Sequence, residues 1–184
     1  MKILVTGGAG FIGSHIVEAL LKRNDITEVR VLDNLSTGFL KNIEPFVADK
    51  RLHFIEGDTR NPQDCDHAVK GVDAVCHQAA LGSVPRSIKD PITSHDVNVN
   101  GFLNILEAVR RFDIKRMVYA SSTSVYGDLA DSPKVESRTG SLLSPYAVTK
   151  MINEMYADVF AKTYGIQILG FRYFNVFGPR QDPN

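Results

Sequence analysis

Apolar and polar positions along the chain follow two periods in turn, and that alternation lays out an architecture. Short apolar runs bounded by turn-forming residues predict strands at 2–6, 28–33, 52–56, 72–77, 115–121 and 166–174. Between them, apolar residues at helical spacing predict helices at 11–23, 61–70, 91–111 and 145–164. In the first helix, Ile12, Ile16, Ala19, Leu20 and Arg23 share one side, which makes a mostly apolar inner face. Asn61-Pro62 and Ser144-Pro145 each read as a capping residue followed by proline at the first helical position. Val118 and Tyr119 lie in a compact run that suits a buried parallel strand better than an exposed hairpin. Strands that alternate with helices predict an α/β fold, a doubly wound parallel sheet with right-handed crossovers. The expected strand order is 3-2-1-4-5-6, with a ligand at the carboxyl ends of the strands.

The junction between the first strand and the first helix carries the strongest chemical signal. Gly7, Gly10 and Gly13 allow, in turn, a sharp strand-to-helix turn, close approach of a pyrophosphate to the backbone, and tight helix–strand packing. Phe11 and Ile12 open the helix, whose N-terminal N–H groups and partial positive charge suit phosphate. Asp33, twenty positions beyond Gly13, ends the second strand. An acid there accepts hydrogen bonds from the adenosine ribose hydroxyls and repels a 2′-phosphate, so the cofactor reads as NAD rather than NADP. Asp58 and Thr59 follow the third strand within reach of adenine, and Gln78-Ala79-Ala80 follow the fourth with small residues that let a cofactor lie close.

Composition narrows the class. The 184 residues suffice for one sizeable core, and 21 basic residues balance 21 acidic ones, which predicts no broad field for nucleic acid or an acidic membrane. No apolar stretch approaches spanning length, and the N-terminus runs directly into a strand, leaving no room for a signal peptide. Cys65 and Cys76 lack metal-ligand spacing and read as reduced, buried thiols of a cytoplasmic protein. The five histidines show no paired pattern, and no metal site is expected.

Two segments near the last crossovers suggest catalysis. The run Ser121 to Gly127 ends the fifth strand, and Tyr146 and Lys150 stand four apart at the start of the last helix, so they share a face. An ammonium beside a phenol favours the phenolate, so Lys150 is expected to lower the Tyr146 pKa toward working pH. Ser122 would hydrogen-bond the reacting hydroxyl. Tyr-x-x-x-Lys alone is common by chance, and its weight here comes from the dinucleotide motif and the hydroxyl-rich strand end that precede it.

Taken together, these motifs resemble the extended short-chain dehydrogenase/reductase family, specifically its NAD-dependent nucleotide-sugar epimerases and dehydratases. The resemblance spans essentially the whole chain. It rests on Gly7, Gly10 and Gly13, on Asp33-Asn34-Leu35-Ser36-Thr37-Gly38, on Gly57-Asp58 and on His77-Gln78-Ala79-Ala80. It continues through Asn98-Val99-Asn100-Gly101, the serine run, Tyr146 to Lys150 and Arg172-Tyr173-Phe174-Asn175. Ala80 to Ser87 and Asn175 to Asn184 look most like UDP-N-acetylglucosamine 4-epimerases. The resemblance implies a Rossmann-like NAD-binding domain and a catalytic triad of Ser122, Tyr146 and Lys150. It also implies cofactor contacts from Asn34, Ser36, Thr37, Gly38, Asn98, Tyr146, Lys150, Tyr173 and Val176, and substrate contacts from Ser83, Ser122, Thr123, Tyr146 and Asn175.

The same resemblance implies 4-epimerisation of a UDP-sugar through a 4-keto intermediate. Dehydrating relatives carry an Asp-Glu pair after the catalytic Ser or Thr, and decarboxylating relatives a Glu at the position of Ser124; here Thr123 and Ser124 precede Val125. UDP-glucose 4-epimerase and a non-catalytic NAD-binding module are the competing readings. Family members continue into a smaller substrate-gripping domain, so residues 1–184 are expected to be an N-terminal fragment of low activity. A homodimer through the helices at 91–111 and 145–164 is implied, although Val97, Ile105 and Ala108 can each be satisfied by facing the sheet.

Overall fold

A computed structural model describes residues 1–182. Six strands form one parallel sheet: β1 (Lys2–Thr6), β2 (Glu28–Asp33), β3 (Leu52–Glu56), β4 (Ala74–His77), β5 (Arg116–Ser122) and β6 (Gln167–Tyr173). Their order is β3-β2-β1-β4-β5-β6, the Rossmann-like arrangement anticipated from the alternation of periods. The helices are α1 (Phe11–Leu21), α2 (Pro62–Val69), α3 (Val84–Lys89), α4 (Pro91–His95), α5 (Gly101–Arg111) and α6 (Pro145–Tyr164). No described helix is long and apolar enough to cross a membrane.

Each sheet face has its own apolar layer. On one, α2, α5 and α6 bury Cys65, Val69, Phe102, Ile105, Leu106, Val109 and Phe160 against Leu4, Val75, Met117 and Tyr119. On the other, α1 and short 3₁₀ turns at 40–46 bury Val17, Leu21 and Ile43 against Val5, Val29 and Val31. Ile105 and Ala108 face the sheet, as their spacing allowed.

Capping follows the sequence. Asn61 accepts the Gln63 N–H and Ser144 accepts the Ala147 N–H, with Pro62 and Pro145 just inside their helices. The same device starts two helices that hydrophobic period alone does not separate: Ser83 caps α3 and Asp90 caps α4. Residues 84–89 are therefore helical, a helix not among those the period predicts. The predicted helix at 91–111 is interrupted by a π-helical stretch at Asp96–Asn100, whose backbone nonetheless runs on into α5.

The inner face of α1 differs in part from expectation, although Ile16 and Leu20 pack against the core as their spacing predicts. Gly13, Ser14, Val17 and Leu21 are buried, whereas Ala19 and Arg23 are exposed. Ile16 and Leu20 border an apolar groove of about 540 Å³ with Cys76, Val118 and Leu169. The reason is steric. Gly13 must lie against the Gly7–Gly8 backbone, and this contact fixes the rotation of the helix before its larger side chains are placed.

Candidate active site

A crevice of about 850 Å³ opens at the carboxyl ends of the strands. Its floor is the turn between β1 and α1. Gly7 has φ +67°, and a Cβ there would stand 2.7 Å from the Ala79 nitrogen. A Cβ on Gly13 would stand 2.1 Å from the Gly7 carbonyl oxygen. Both contacts are with backbone, so neither position admits a side chain without moving the turn. Among the described residues no side chain caps α1, which leaves the first turn, Phe11 to Gly13, lining the crevice with its N-terminal N–H groups.

Asp33 supports this turn directly. Its Oδ2 accepts the Ala9 N–H at 2.9 Å and its Oδ1 accepts the Leu35 N–H at 2.9 Å, with only 8% of the residue exposed. The Asn42 amide donates to the Ala9 carbonyl at 2.8 Å, so the loop after β2 wraps the glycine turn. Asn34, Ser36, Thr37 and Gly38 line the same end. Asp58 and Thr59 form the far wall, where the Arg60 guanidinium and a hydrogen bond from Asn34 hold the Asp58 carboxyl down at about 2.

Beneath the fourth strand end, Thr6 Oγ1 accepts the Ala79 N–H at 3.2 Å and pairs with His77 Nδ1 at 2.8 Å. Burial holds the His77 imidazole neutral, its pKa pushed down to about 3. That chain fixes Gln78-Ala79-Ala80 as a crevice wall. Asn98 does not line the crevice. It is 1% exposed, accepts the Leu81 N–H at 2.8 Å, and donates to the Leu81 carbonyl and Thr149 Oγ1 at 3.2 Å each. Its role here is to tie the wall to α6, and the π-helical stretch carries the side chain that does so.

Ser122 ends β5, and Tyr146 and Lys150 occupy the first two turns of α6; all three line the crevice. Lys150 is 2% exposed, its ammonium donates to the Ala120 carbonyl at 2.8 Å, and it stands 5.9 Å from the Tyr146 ring centre. Ser87 Oγ accepts the Tyr146 N–H at 3.0 Å and so joins α3 to the start of α6. Ser83, Thr123, Tyr173, Asn175 and Val176 complete the same wall.

The electrostatics depart from the sequence expectation. Burial raises the Tyr146 phenol above its ordinary value, and a hydrogen bond from Ser122 opposes that rise. Lys150 itself yields: desolvation lowers its pKa to about 8. The ammonium gives charge and position, but in this geometry it does not outweigh the loss of water around the phenol.

Sequence reasoning missed Thr6, Asn42, Ser87 and Arg180. Thr6 and Ser87 are fully buried hydroxyls, a signal visible only once their surroundings are known. Arg180 crosses the crevice edge, donating to the Ser14 and Asn42 carbonyls and bonding His15 and Glu18.

The residues present fit NAD. A backbone cradle closed to any Cβ, a helix N-terminus without a side-chain cap and the Asp33 carboxylate converge on one end, and beside the cradle the buried Gln78 Oε1 has no partner among the described residues.

Comparison with known proteins agrees. Residues 3–184 match the model of the NAD dependent epimerase/dehydratase family. A Methanocaldococcus jannaschii protein provisionally named UDP-glucose 4-epimerase is 44% identical over 98% of this chain and 58% of its own length. The UDP-N-acetylglucosamine 4-epimerase of Methanobrevibacter ruminantium, in complex with UDP-N-acetylmuramic acid, superposes with TM-score 0.92 at 40% identity, over 100% of this chain and 57% of that one. The dTDP-glucose 4,6-dehydratase DesIV of Streptomyces venezuelae, with NAD bound, superposes with TM-score 0.93 at 37% identity, over 100% of this chain and 58% of that one. The chain thus spans less than two thirds of the length of these relatives. With the match covering residues 3–184, the chain belongs to the NAD-dependent epimerase/dehydratase family.

Proposed function

We propose that the protein is an NAD-dependent UDP-sugar 4-epimerase, of the UDP-GlcNAc/UDP-GalNAc type, in which Tyr146 is the acid–base group. The observation that carries this is the convergence of Ser122, Tyr146 and Lys150 on one crevice with the dinucleotide cradle. Bound NAD supplies a reversible acceptor for the hydride at C4 of the sugar. Tyr146 takes the 4-hydroxyl proton and later returns it, while Ser122 holds that hydroxyl and the phenol oxygen together. Lys150, anchored on the Ala120 carbonyl, favours the phenolate as the proton moves. Ser83, Thr123 and Asn175 offer polar contacts to the sugar on the same wall.

The hydroxyl run at 122–124 supports epimerisation over dehydration, since it presents no carboxylate to remove a C5 proton. UDP-glucose 4-epimerisation is the second reading, favoured by the Methanocaldococcus relative. We also place a homodimer contact on α6, where Val148, Met155, Tyr156 and Val159 are exposed.

The test is interconversion of UDP-GlcNAc and UDP-GalNAc by the protein without added reductant, beside UDP-glucose at equal concentration. Tyr146→Phe should lower turnover by about 10²–10⁴-fold with NAD affinity unchanged. A Phe variant that keeps near-normal turnover would remove Tyr146 from this role.

A further inference from the structure

Arg172 belongs to the Arg172-Tyr173-Phe174-Asn175 motif, yet it does not line the crevice wall. Its guanidinium forks onto Glu154, Nε to Oε1 at 2.9 Å and Nη2 to Oε2 at 2.8 Å, with the two side chains only 15% and 20% exposed. Glu154 sits on α6 one turn beyond Lys150 and accepts the Ser121 hydroxyl at 2.5 Å. Arg172 also lies over the Tyr126 ring at 4.7 Å and donates to the Glu136 carbonyl at 3.1 Å. Four parts of the fold therefore meet at one ion pair: α6, the end of β5, the end of β6 and the loop after the Ser122 turn.

A half-buried ion pair of this kind contributes little net stability, because desolvation consumes most of the Coulombic gain. What it does provide is a fixed geometry. The planar fork and the serine hydroxyl bond allow one axial position of α6 against β5. The β5–β6 ladder cannot do this, since it pairs Ser121 with Arg172 and Ser122 with Tyr173 but leaves α6 free to slide along the strands. The Lys150–Ala120 bond is a single contact to a backbone oxygen and fixes less.

We propose that the Glu154–Arg172–Ser121 clamp is a positioning device for catalysis: it sets where Ser122, delivered by β5, stands relative to Tyr146 and Lys150, delivered by α6. The inference rests on the acid–base role given above to Tyr146. Glu154 and Arg172 do not line the crevice, and Ser121, which does, turns its hydroxyl away to Glu154, so each acts through Ser122.

The experiment compares Ser121→Ala, Glu154→Gln, Glu154→Ala and the Ser121→Ala/Glu154→Ala double variant with wild type. Sugar-dependent turnover, KM for UDP-GlcNAc and NAD affinity are measured for each. A displacement of about 1 Å is expected to lower kcat about 10-fold in Ser121→Ala and about 100-fold in Glu154→Ala, with KM and NAD affinity within about twofold of wild type. The double variant should be no slower than Glu154→Ala, since both remove one link. Glu154→Gln keeps an acceptor for Ser121 and should recover part of the loss. Wild-type kcat in Ser121→Ala, or a parallel loss of kcat and NAD affinity, would overturn the proposal. Should Glu154→Ala fail to fold, Ser121→Ala decides alone, because it removes only a hydroxyl.

A second readout needs no turnover. The Ser124 amide donates to Ser122 Oγ at 3.1 Å, so its hydrogen exchange reports the Ser122 position. Exchange at Ser124 should quicken about 10-fold in Ser121→Ala, with the amides of β5 unchanged. If wild type acts on no UDP-sugar, the proposed activity fails, and the exchange result still decides the clamp: an unchanged Ser124 rate refutes it.

Discussion

Replacing Asp33 should weaken the folded protein before any effect on the cofactor is counted. Both carboxylate oxygens accept a backbone N–H, from Ala9 and from Leu35, each at 2.9 Å. Ala9 is fully buried, so in Asp33→Ala its N–H is left without water or acceptor, while Leu35 is partly exposed and can be hydrated. An orphaned buried donor costs about 1–3 kcal/mol, and a lost bond to a charged acceptor contributes a comparable amount, giving about 3 kcal/mol in total. In a chain of this size that corresponds to a fall in Tm of about 6–12 °C. Asp33→Asn keeps one acceptor for Ala9 and turns a donor toward Leu35, so it should lose about half as much. Thermal and urea unfolding without cofactor measure both, and calorimetric titration with NAD and NADP measures selectivity. NAD affinity should fall and discrimination against NADP should shrink, because the repelling charge is gone. An Asp33→Ala protein that melts within about 2 °C of wild type would refute the claim that this carboxylate supports the turn.

The remaining predictions concern the turn and the lysine. Gly13→Ala places a methyl 2.1 Å from the Gly7 carbonyl oxygen, a contact that backbone cannot relieve locally. It should cost about 2 kcal/mol or more and weaken NAD binding together with stability; normal NAD affinity by calorimetry would contradict the steric reading. Lys150 is lowered from 10.5 to about 8, so at neutral pH the folded state carries a buried ammonium that the unfolded chain would solvate. That penalty is full below about pH 8 and fades as pH rises toward 10.5, because across this window the unfolded chain binds more protons. Lys150→Met should therefore abolish turnover yet raise stability at pH 7 by about 3 kcal/mol, a gain that disappears by about pH 10.5. Denaturant unfolding at pH 7 and pH 10 checks this, and a Met variant less stable than wild type at pH 7 would contradict it.

Much of the fold could be read locally. The six strands, the long helices and the caps at Asn61 and Ser144 follow from patterns a few residues wide, and the predicted strand order follows from their alternation. Residues 84–89 escaped because a six-residue helix is too short to show a period, although Ser83 and Pro85 mark its start. The inner face of α1 was assigned only in part: Ile16 and Leu20 pack against the core, whereas Ala19 and Arg23 are exposed. A side-chain pattern does not show the approach of two backbones at Gly7 and Gly13, which sets the rotation and buries Gly13 and Ser14.

The chain by itself determined the chemistry of each functional position, because spacing along a strand end or a helix turn is a local property: glycines where backbone must approach, an acid after β2, a phenol and an amine one turn apart. Tertiary structure decided everything that depends on desolvation or on partners far apart in sequence. Burial raises the Tyr146 phenol and lowers the Lys150 ammonium, against the expectation from their spacing alone. Asn98 leaves the crevice to bind Leu81 and Thr149, and Glu154, Arg172 and Ser121 meet across three elements. Contacts of that range, and the water they exclude, exist only after the sheet has brought its strand ends together.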